Sequence, residues 1–414
     1  GARDFLIPSR LHPGKFYAMP QSPQLFKQML MIAGIDKYFQ IVKCYRDEDL
    51  RADRQPEFTQ IDMEISFADQ DDVFSVTEGL VKRMFKEAAG IDLEIPFPRY
   101  TYQEVMNRYG SDKPDTRFGM ELVDVSDIVA ESEFRVFTET LKGGGQVKGL
   151  AAPNCARLSR SQIDELTKFV KIYKAKGLAW MRVTPDGIDS PIKKFFPEGC
   201  LNALLDRMKG EVGDMLFFVA DKPKIVADAL GNLRLTLANQ LELIDEERFN
   251  FLWVTDFPLF QWNEEEGRWE SEHHPFTAPN YEDLDLMDED PGKVRSQSYD
   301  LVVNGTEVAS GSVRIHDMNL QRKIFKILQL SEEDIEVRFG FFLEALKYGA
   351  PPHAGIALGF DRLVMMMAGG ESLRDVIPFP KTQRGICLVT GAPAKVTPQQ
   401  LEELHISVED VEEV

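Results

Sequence analysis

The spacing of apolar residues predicts a helix close to the start of the chain. Leu25, Phe26 and Met29 recur at helical spacing, which places them on one side of a helix. Ser22 lies where an N-cap is needed and Gly34 where the helix would end, since serine accepts hydrogen bonds from first-turn amides and glycine adopts the left-handed backbone. The pattern therefore predicts one helix between these two residues.

Two strands are predicted next, joined by a long polar loop. Residues 39–45 form a short apolar run, and residues 58–67 alternate between apolar and polar side chains, as a half-buried strand does. The dense charge of residues 46–57 predicts the loop of an antiparallel hairpin. Apolar residues at helical spacing then predict an amphipathic helix over 72–89.

The remaining pattern continues this mixture of helices and strands. Helices are predicted at 159–176, 225–235, 319–330 and 332–347, and strands at 216–220, 251–260, 299–303, 306–315 and 354–359. Asn304 and Gly305 are typical of the tight primed turn of a hairpin. Two acidic segments, 281–290 and the end of the chain from Gln399, are predicted to be a solvated loop and a weakly ordered tail.

The length of the chain indicates two or more domains. With 414 residues, of which 43% are hydrophobic, it is too long for one ordinary core. The pattern changes near Thr116, and the residues that follow form a self-contained mixture of strand and helix signals. We expect an inserted α+β domain at 117–243, which divides the rest into a first part, 1–116, and a second part with a C-terminal extension, 244–414.

The composition limits where the protein acts and on what. The formal net charge of −20 argues against a uniformly basic face that coats nucleic acid, but it leaves room for a local basic groove. Four scattered cysteines without a CxxC pair predict reduced thiols in a cytoplasmic protein. No apolar run approaches the ~20 residues of a membrane span, so no membrane partner is expected.

The polar loop between the first two strands carries the clearest chemistry. Arg46 and Glu48 at the end of one strand, and Gln60, Asp62 and Glu64 on the other, occupy one face of the predicted sheet. A charged cluster is often only a solvated loop. Strands that are otherwise apolar do not need such a face for solubility, however, so the pattern favours a binding site at the open face of the sheet.

Longer motifs identify a family that the sequence resembles. Residues 45–48 (Tyr-Arg-Asp-Glu) and 55–60 (Gln-Pro-Glu-Phe-Thr-Gln) resemble motif 2 of the class II aminoacyl-tRNA synthetases, and residues 355–363 resemble motif 3. The resemblance implies the fold of that family, which is an α+β fold with an antiparallel sheet flanked by helices.

Three further segments indicate the subtype. Residues 21–27 and 311–316, and the insertion before residues 253–258, resemble the bacterial aspartyl-tRNA synthetases. The insertion resembles a domain that those enzymes share with an archaeal glutamyl-tRNA amidotransferase subunit. The family pattern also includes an N-terminal anticodon-binding OB-fold and the motif 1 helix of the dimer interface, which we expect to be missing from this sequence. The parent enzyme is expected to be a homodimer.

The resemblance implies a site for ATP and Mg²⁺. Two anions react in amino-acid activation, so cations must neutralise them. By the family pattern, Arg46 binds the α-phosphate and the aspartate carboxylate, Arg362 binds the γ-phosphate, and Phe58 stacks on the adenine. Glu307, helped by Asp300, is implied to bind Mg²⁺. The other residues implied at the ATP site are Asp47, Glu48, Gln55, Gly359, Phe360 and Asp361.

The resemblance also implies a pocket that selects aspartate. Lys27 and Arg314 are expected to bind the side-chain carboxylate, with Asp62 orienting Lys27. Asparagine is nearly isosteric but neutral, so it would leave both cations unpaired in a dry pocket. For His273, a loop position beside Pro275 is the alternative to contact with the substrate amino group. The residues implied around the rest of the amino acid are Ser22, Gln24, Leu25, Phe26, Arg46 and His273.

The implied activity is activation of L-aspartate with ATP and transfer of aspartate to tRNA(Asp), with tRNA(Asn) left open as a second acceptor. An asparaginyl-tRNA synthetase is the nearest alternative, and the pair Lys27 and Arg314 and the insertion argue against it. A non-catalytic protein that kept the fold is the other alternative. It is expected to have lost Arg46, Glu307 or Arg362, and all three are present.

Overall fold

The computed structural model of the protein describes residues 3–48 and 54–409. Residues 49–53, in the middle of the predicted charged hairpin loop, lie outside the described residues. The chain forms two compact units, each described by itself below. The first comprises Gly1–Pro96, Pro258–Ser298 and Val308–Val414, and the second comprises Phe97–Phe257 and Tyr299–Glu307.

The described strands are short to medium in length. In chain order they are β1 (Leu6–Pro8), β2 (Phe16–Ala18), β3 (Lys37–Tyr45), β4 (Glu57–Ser66), β5 (Arg99–Thr101), β6 (Val123–Asp124), β7 (Gln146–Ala152), β8 (Ala179–Thr184), β9 (Gly187–Asp189), β10 (Met215–Asp221), β11 (Phe251–Thr255), β12 (Phe260–Asn263), β13 (Arg268–Ser271), β14 (Ser298–Val303), β15 (Thr306–Val313) and β16 (His353–Gly359).

The described helices separate these strands. They are α1 (Gln24–Ile32), α2 (Gln70–Ala89), α3 (Tyr102–Tyr109), α4 (Ser126–Val129), α5 (Arg135–Lys142), α6 (Arg160–Ile172), α7 (Glu198–Met208), α8 (Pro223–Gln240), α9 (Leu286–Glu289), α10 (Met318–Ile327), α11 (Glu332–Leu346), α12 (Phe360–Met367) and α13 (Pro398–Leu404). Within residues 3–48 and 54–409, no helix is both long and apolar enough to cross a membrane.

Antiparallel strands in the order β3-β4-β16-β15 organise the first unit. The predicted hairpin of β3 and β4 is present, with Ile41 opposite Ile61. Ile61 and Met63 are buried on one face of β4, and the polar residues Asp62 and Glu64 are buried on the other. Both faces of the centre of this strand are therefore covered.

Capping interactions fix two helices of the first unit. Helix α2 begins at a capping box in which the Asp69 side chain accepts from first-turn amides while Asp72 bonds back, and it ends at Gly90 in the left-handed conformation, as its sequence predicts. Helix α1 differs from the prediction, because Pro23 occupies the N-cap and no side chain caps the helix. Ser22 therefore lies one residue before the N-cap.

An aromatic cluster packs α1 against α10 and α11. Its buried core includes Phe276, Phe325, Phe339 and Phe342, and Leu25 of α1 packs against it. Phe325 and Phe339 stack with ring centroids 5.2 Å apart. Each such side chain stabilises the fold by about 1.5–3 kcal/mol through burial, so α1 is held firmly on the inner side of the unit.

A five-stranded antiparallel sheet in the order β6-β7-β10-β8-β9 lies in the second unit. Its central strand β10 is buried along its whole length, because helices cover both faces. Met215 and Phe217 belong to one core, with residues of α6 and α8, whereas Leu216 and Phe218 belong to a second core, with residues of α5 and α7. The antiparallel sheets with flanking helices confirm the predicted α+β fold class.

The turn between β14 and β15 has the predicted geometry. Asn304 and Gly305 both have positive φ angles, of 51° and 81°, which a primed two-residue turn requires. In the second unit, β14 pairs antiparallel with β11, and β11 pairs parallel with β5.

Both acidic segments are more ordered than predicted. Within residues 281–290, Met287 is buried, and the Asp283 carboxylate accepts a hydrogen bond of 2.8 Å from Arg295 Nε. The segment from Gln399 was predicted to be a weakly ordered tail, but it contains α13. That helix begins with a capping box formed by Thr397 and Gln400, so local hydrogen bonds order it despite its acidity.

Candidate functional site

Four charged side chains form a buried group beside α1, β4 and the end of β15. Lys27, Asp62, Glu64 and Arg314 are each at most 1% exposed. Lys27 Nζ lies 2.7 Å from Asp62 Oδ1 and 3.0 Å from Glu64 Oε2. Arg314 donates from Nε and Nη2 to the two carboxylate oxygens of Glu64, at 2.9 and 3.1 Å. The two cations expected to select the substrate therefore share one carboxylate.

Glu64 joins these cations, although the sequence analysis placed it only on the polar face of the sheet and assigned it no specific role. The available signal was its position two residues after Asp62, which places both carboxylates on one face of β4. Gly355 of β16 lies opposite Glu64 in the register, and a Cβ atom at Gly355 would overlap the Glu64 carboxylate. The glycine therefore provides the space that the buried carboxylate fills.

The two carboxylates of the group differ in their affinity for protons. Burial alone would raise the pKa of Glu64, but Arg314 and Lys27 together outweigh it and lower that pKa to about 2. For Asp62, burial outweighs the attraction of Lys27, so its pKa is raised above the usual value. Glu64 is thus the more firmly ionised partner of the two cations.

A histidine and a serine hold the remaining side of the Arg314 guanidinium. Arg314 Nη1 donates to Ser312 Oγ at 2.6 Å and lies 2.7 Å from His274 Nε2. Burial and the adjacent Arg314 hold the pKa of His274 well below its ordinary value, so the ring beside the guanidinium is neutral. His274 is therefore a contact of Arg314, whereas the contact of the neighbouring His273 with a substrate amino group remains a prediction.

A series of hydrogen bonds runs from the residue His353 to helix α1, which carries Lys27. His353 Nδ1 donates to the carbonyl of Pro351 at 2.8 Å, which leaves Nε2 to accept from Gln28 Nε2 at 3.3 Å. Gln28 in turn accepts a hydrogen bond of 3.0 Å from Gln24. Gln24, which was predicted beside the substrate, thus also orients the turn of α1 that carries Lys27.

The other predicted residues of α1 face different surroundings. Leu25 packs into the aromatic cluster of α10 and α11, and Phe26 is 65% exposed. Ser22 is partly buried. The structure describes no contact between these three side chains and the buried charged group, and their contacts with aspartate remain predictions.

At the ends of β3 and β4, the structure brings Arg46 and Phe58 together. The Arg46 guanidinium carbon lies 4.9 Å from the centroid of the Phe58 ring, within the range of a cation–π interaction. The backbone amide of Arg46 donates to the Pro56 carbonyl at 2.9 Å. Glu48 forms an ion pair of 2.9 Å with Arg54. These contacts place a cation and an aromatic face side by side at the open end of the hairpin.

Two residues predicted at the ATP site bond to the backbone in this structure. The Gln55 side chain donates from Nε2 to the Lys381 carbonyl at 3.1 Å and accepts from the Lys381 amide at 2.8 Å. Asp361, in the first turn of α12, accepts a hydrogen bond of 2.6 Å from the Thr59 amide. These bonds tie the hairpin to the C-terminal segment and to α12. Contact of these residues with ATP remains a prediction.

The neighbourhood of α12 leaves room for a ligand near the backbone. A Cβ atom at Gly359 would lie 3.6 Å from the nearest heavy atom, which is ordinary van der Waals contact. Phe360 and Arg362 are partly buried in the first turn of α12, and Asp47 is exposed at the end of β3. A helix N-terminus also favours negative charge, so this region suits an anionic ligand.

The acidic pair predicted to bind a metal lies in the second unit. Asp300 is on β14 and Glu307 on β15. Because Asn304 and Gly305 form a two-residue turn, Glu307 lies opposite Val302, and both carboxylates are on one face of the hairpin. No three His, Cys, Asp or Glu side chains gather as a metal site within the described ranges. Two carboxylates fit Mg²⁺ that takes further oxygen ligands from substrate phosphates and water.

The sequence of the chain is similar to proteins of one known family. The family model of tRNA synthetases class II (D, K and N) matches residues 1–383. The chain is 56% identical to an aspartate–tRNA(Asp/Asn) ligase of Caldanaerobacter subterraneus, over 99% of this chain and 69% of that protein. It is 57% identical to an aspartate–tRNA ligase of Ruminiclostridium cellulolyticum over the same shares. It is 58% identical to an aspartate–tRNA(Asp/Asn) ligase of Lachnoclostridium phytofermentans, over 99% of this chain and 68% of that protein.

Proposed function

Since this chain belongs to the class II tRNA synthetases that act with aspartate, lysine or asparagine, we propose that it is the ligase for aspartate. It activates L-aspartate with ATP to aspartyl-adenylate and pyrophosphate, and then transfers aspartate to tRNA(Asp). The observation that carries the choice of amino acid is the position of Lys27 and Arg314, two buried cations that the carboxylate of Glu64 brings together.

The buried cations distinguish the three amino acids of this family. An aspartate carboxylate gains charge-assisted hydrogen bonds beside Lys27 and Arg314. The neutral amide of asparagine would bring no negative charge to this pair of buried cations, so the pocket would reject it. The ammonium group of lysine would be repelled by both. The names of the relatives, which are aspartate–tRNA ligases at 56–58% identity, support the same choice.

Activation requires the approach of two anions, the aspartate carboxylate and the α-phosphate of ATP. We assign charge neutralisation there to Arg46, and binding of the γ-phosphate to Arg362. Phe58, whose ring already contacts a guanidinium, offers an aromatic face to the adenine. Neither a side-chain nucleophile nor a general base is needed, because the reaction depends on positioning and electrostatics.

Asp300 and Glu307 are the residues proposed to hold Mg²⁺. When bound, the ion would neutralise phosphate oxygens of ATP. The two carboxylates share one face of a tight hairpin whose turn residues have the required positive φ angles, so their spacing does not depend on a flexible loop.

A second acceptor, tRNA(Asn), is supported by the names of two of these relatives, which are aspartate–tRNA(Asp/Asn) ligases. The other relative carries the name of an aspartate–tRNA ligase. Aminoacylation of purified tRNA(Asp) and tRNA(Asn) by the same preparation separates the two possibilities. Comparable rates on both would establish the broader activity.

We also propose the organisation and setting that the family suggests. Residues 117–243 form an inserted domain, the enzyme works as a homodimer, and it is cytoplasmic. The last proposal is supported by the four cysteines, which are all unpaired and buried in the structure.

Aspartate-dependent exchange of pyrophosphate into ATP tests the proposed function directly. We expect exchange with aspartate and little with asparagine or lysine at equal concentration. Exchange that depends on asparagine instead would refute the assignment of the pocket, and a lack of exchange with any of the three would refute the proposed activity.

A further inference from the structure

We infer that one end of the five-stranded sheet in the second unit is a docking surface for the phosphate backbone of tRNA. The inference rests on the proposed function, which makes tRNA a substrate. Residues 117–243 contain 18 Lys and Arg against 17 Asp and Glu, whereas the whole chain contains 48 against 68. The excess of negative charge therefore lies entirely outside this segment.

The register of the strands brings three connections together at this end. Asp221, the last residue of β10, pairs with Gln146, the first of β7, and Phe218 of β10 pairs with Ala179, the first of β8. The segments before β7, before β8 and after β10 are therefore neighbours. They carry six exposed lysines, here called the lysine rim: Lys142, Lys171, Lys174, Lys176, Lys222 and Lys224.

Contacts within the second unit place three of these lysines beside two carboxylates of neighbouring segments. Lys176 Nζ lies 3.7 Å from Asp221 Oδ2, across the gap between two of the connections. Burial raises the pKa of Asp228, and Lys224 and Lys174 oppose that effect from two different segments. Both lysines therefore lie close to one carboxylate of α8.

The acidic residues at this end are fewer than the lysines, and most of them are buried or partly buried. Asp221 is 6% exposed and Asp228 is partly buried, and Asp112 lies near enough to act on the Asp228 carboxyl. Glu139 is exposed at the end of α5. Since all six lysines are exposed, the charge presented to a partner at this end is positive.

The opposite end of the same sheet has a different character. There the connections and the start of α6 carry Asp186, Glu211 and Asp214 together with Arg157, Arg160 and Lys209. Asp214 is used locally, because its carboxylate accepts from the backbone amides of Asn154 and Glu211. Positive charge is therefore concentrated at one end of the sheet and is not spread over the whole segment.

Because lysine side chains are flexible and carry a point charge, they suit a phosphate backbone that is bound independently of its sequence. Such contacts release counterions from the nucleic acid. The logarithm of the binding constant therefore falls linearly with the logarithm of the salt concentration, with a slope of about 0.7–0.9 for each phosphate that is neutralised. In a chain of net charge −20, a local basic surface is needed to bring a polyanion to the enzyme. The rim would thus position tRNA without contributing to amino-acid activation.

A matched pair of triple variants tests this inference in the 414-residue chain. The rim variant is Lys171→Gln, Lys174→Gln and Lys224→Gln, which spares Lys176 because it faces the buried Asp221. The control variant removes the same charge at the opposite end, with Arg157→Gln, Arg160→Gln and Lys209→Gln. Both are compared with the unmodified chain in thermal unfolding, in aspartate-dependent pyrophosphate exchange and in binding of labelled tRNA(Asp) from about 20 to 200 mM salt, a range over which phosphate contacts weaken strongly.

The rim variant should bind tRNA more weakly at low salt and show a smaller salt slope, by about 2 to 3 for three lost phosphate contacts. The control should retain both the affinity and the slope, and both variants should unfold and exchange pyrophosphate as the unmodified chain does. Equal weakening in rim and control variants, or no weakening in either, would overturn the inference. Failure of the unmodified chain to exchange pyrophosphate with aspartate would count against the proposed function instead, since that assay contains no tRNA.

Discussion

Arg314 and Glu64 form a two-point ion pair inside the protein, with distances of 2.9 Å from Nε to Oε1 and 3.1 Å from Nη2 to Oε2. The planar guanidinium and the planar carboxylate fix each other's orientation. Because Ser312 and His274 bind the remaining side of the guanidinium, Arg314 is held in one geometry before any substrate arrives.

Glu64→Gln should destabilise the fold strongly. Removal of one partner of a buried pair typically costs about 3–5 kcal/mol, because Lys27 and Arg314 would share a single remaining carboxylate, Asp62. The free energy of unfolding in urea measures this cost. Glu344→Gln, which breaks an exposed pair with Lys347, is the matched control and should change stability little. An equal loss of unfolding free energy in the two variants would show that the buried ion pair stabilises the fold no more than the exposed one.

Lys27→Met should weaken activation of aspartate more than activation of asparagine. Loss of a hydrogen bond to a charged group costs about 1.5–3 kcal/mol, which corresponds to roughly 10–150-fold in rate. Pyrophosphate exchange with both amino acids at equal ATP concentration is the measurement. Since Lys27 also pairs with Asp62, the double variant Lys27→Met, Asp62→Asn should recover stability without recovering the preference for aspartate. An equal loss for both amino acids would assign side-chain recognition to Arg314 alone.

Arg46→Ala should abolish adenylate formation and leave the fold nearly intact. The side chain is partly buried, and its contact with the Phe58 ring is worth only about 0.5–1 kcal/mol at such a site. Its charge, however, is proposed to neutralise the reacting phosphate. Arg54→Ala, a neighbouring arginine that is 50% exposed and pairs with Glu48, is the control. A folded Arg46→Ala protein with normal exchange would refute the assignment.

The stability of the protein should fall as the pH drops below about 6.5, the ordinary pKa of histidine. The pKa of His274 is lowered well below that value by burial and by Arg314, so the unfolded chain binds a proton that the folded chain does not. One such group gives a slope of up to about 1.4 kcal/mol per pH unit. His274→Asn should flatten the dependence between pH 6.5 and 5, whereas replacement of the exposed His12 should not. An unchanged slope in His274→Asn would mean that other groups cause it.

The sequence predicted most elements of the fold because their signals are local. Alternation identified β4, helical spacing and a C-terminal glycine identified α2, and Asn304 with Gly305 identified the turn before β15. The alternation of β4 does not reveal what covers its polar face, because the side chains that do so, Lys27 of α1 and Arg314, lie elsewhere in the sequence. Glu64 was placed on the polar face predicted to form a binding site, but for the same reason its two cationic partners were not predicted.

The wrong predictions have separate causes. Residues 281–290 were predicted to be a solvated loop from their acidity, but Asp283 is paired with Arg295, and no local pattern identifies that partner. Helix α13 could have been predicted, since Thr397 and Gln400 have the spacing of a capping box. The N-cap assigned to Ser22 was one residue early, because the chain enters α1 at Pro23. Among the predicted site residues, those that meet in the buried group lie on three elements, and only the family resemblance linked them.

Gly355 has a consequence for the range of sequences that the protein can accept. Its φ angle is not positive, so the restriction comes from its neighbours, because a Cβ atom there would overlap both the Glu64 carboxylate and the backbone carbonyl oxygen of Met63. In a library randomised at positions 355 and 359, a screen for soluble expression alone should return only glycine at 355. The same screen should return alanine as well as glycine at 359, where a Cβ atom meets only ordinary contacts. A screen for growth that depends on the enzyme should then exclude alanine at 359, so the two glycines of one motif would be under different kinds of selection.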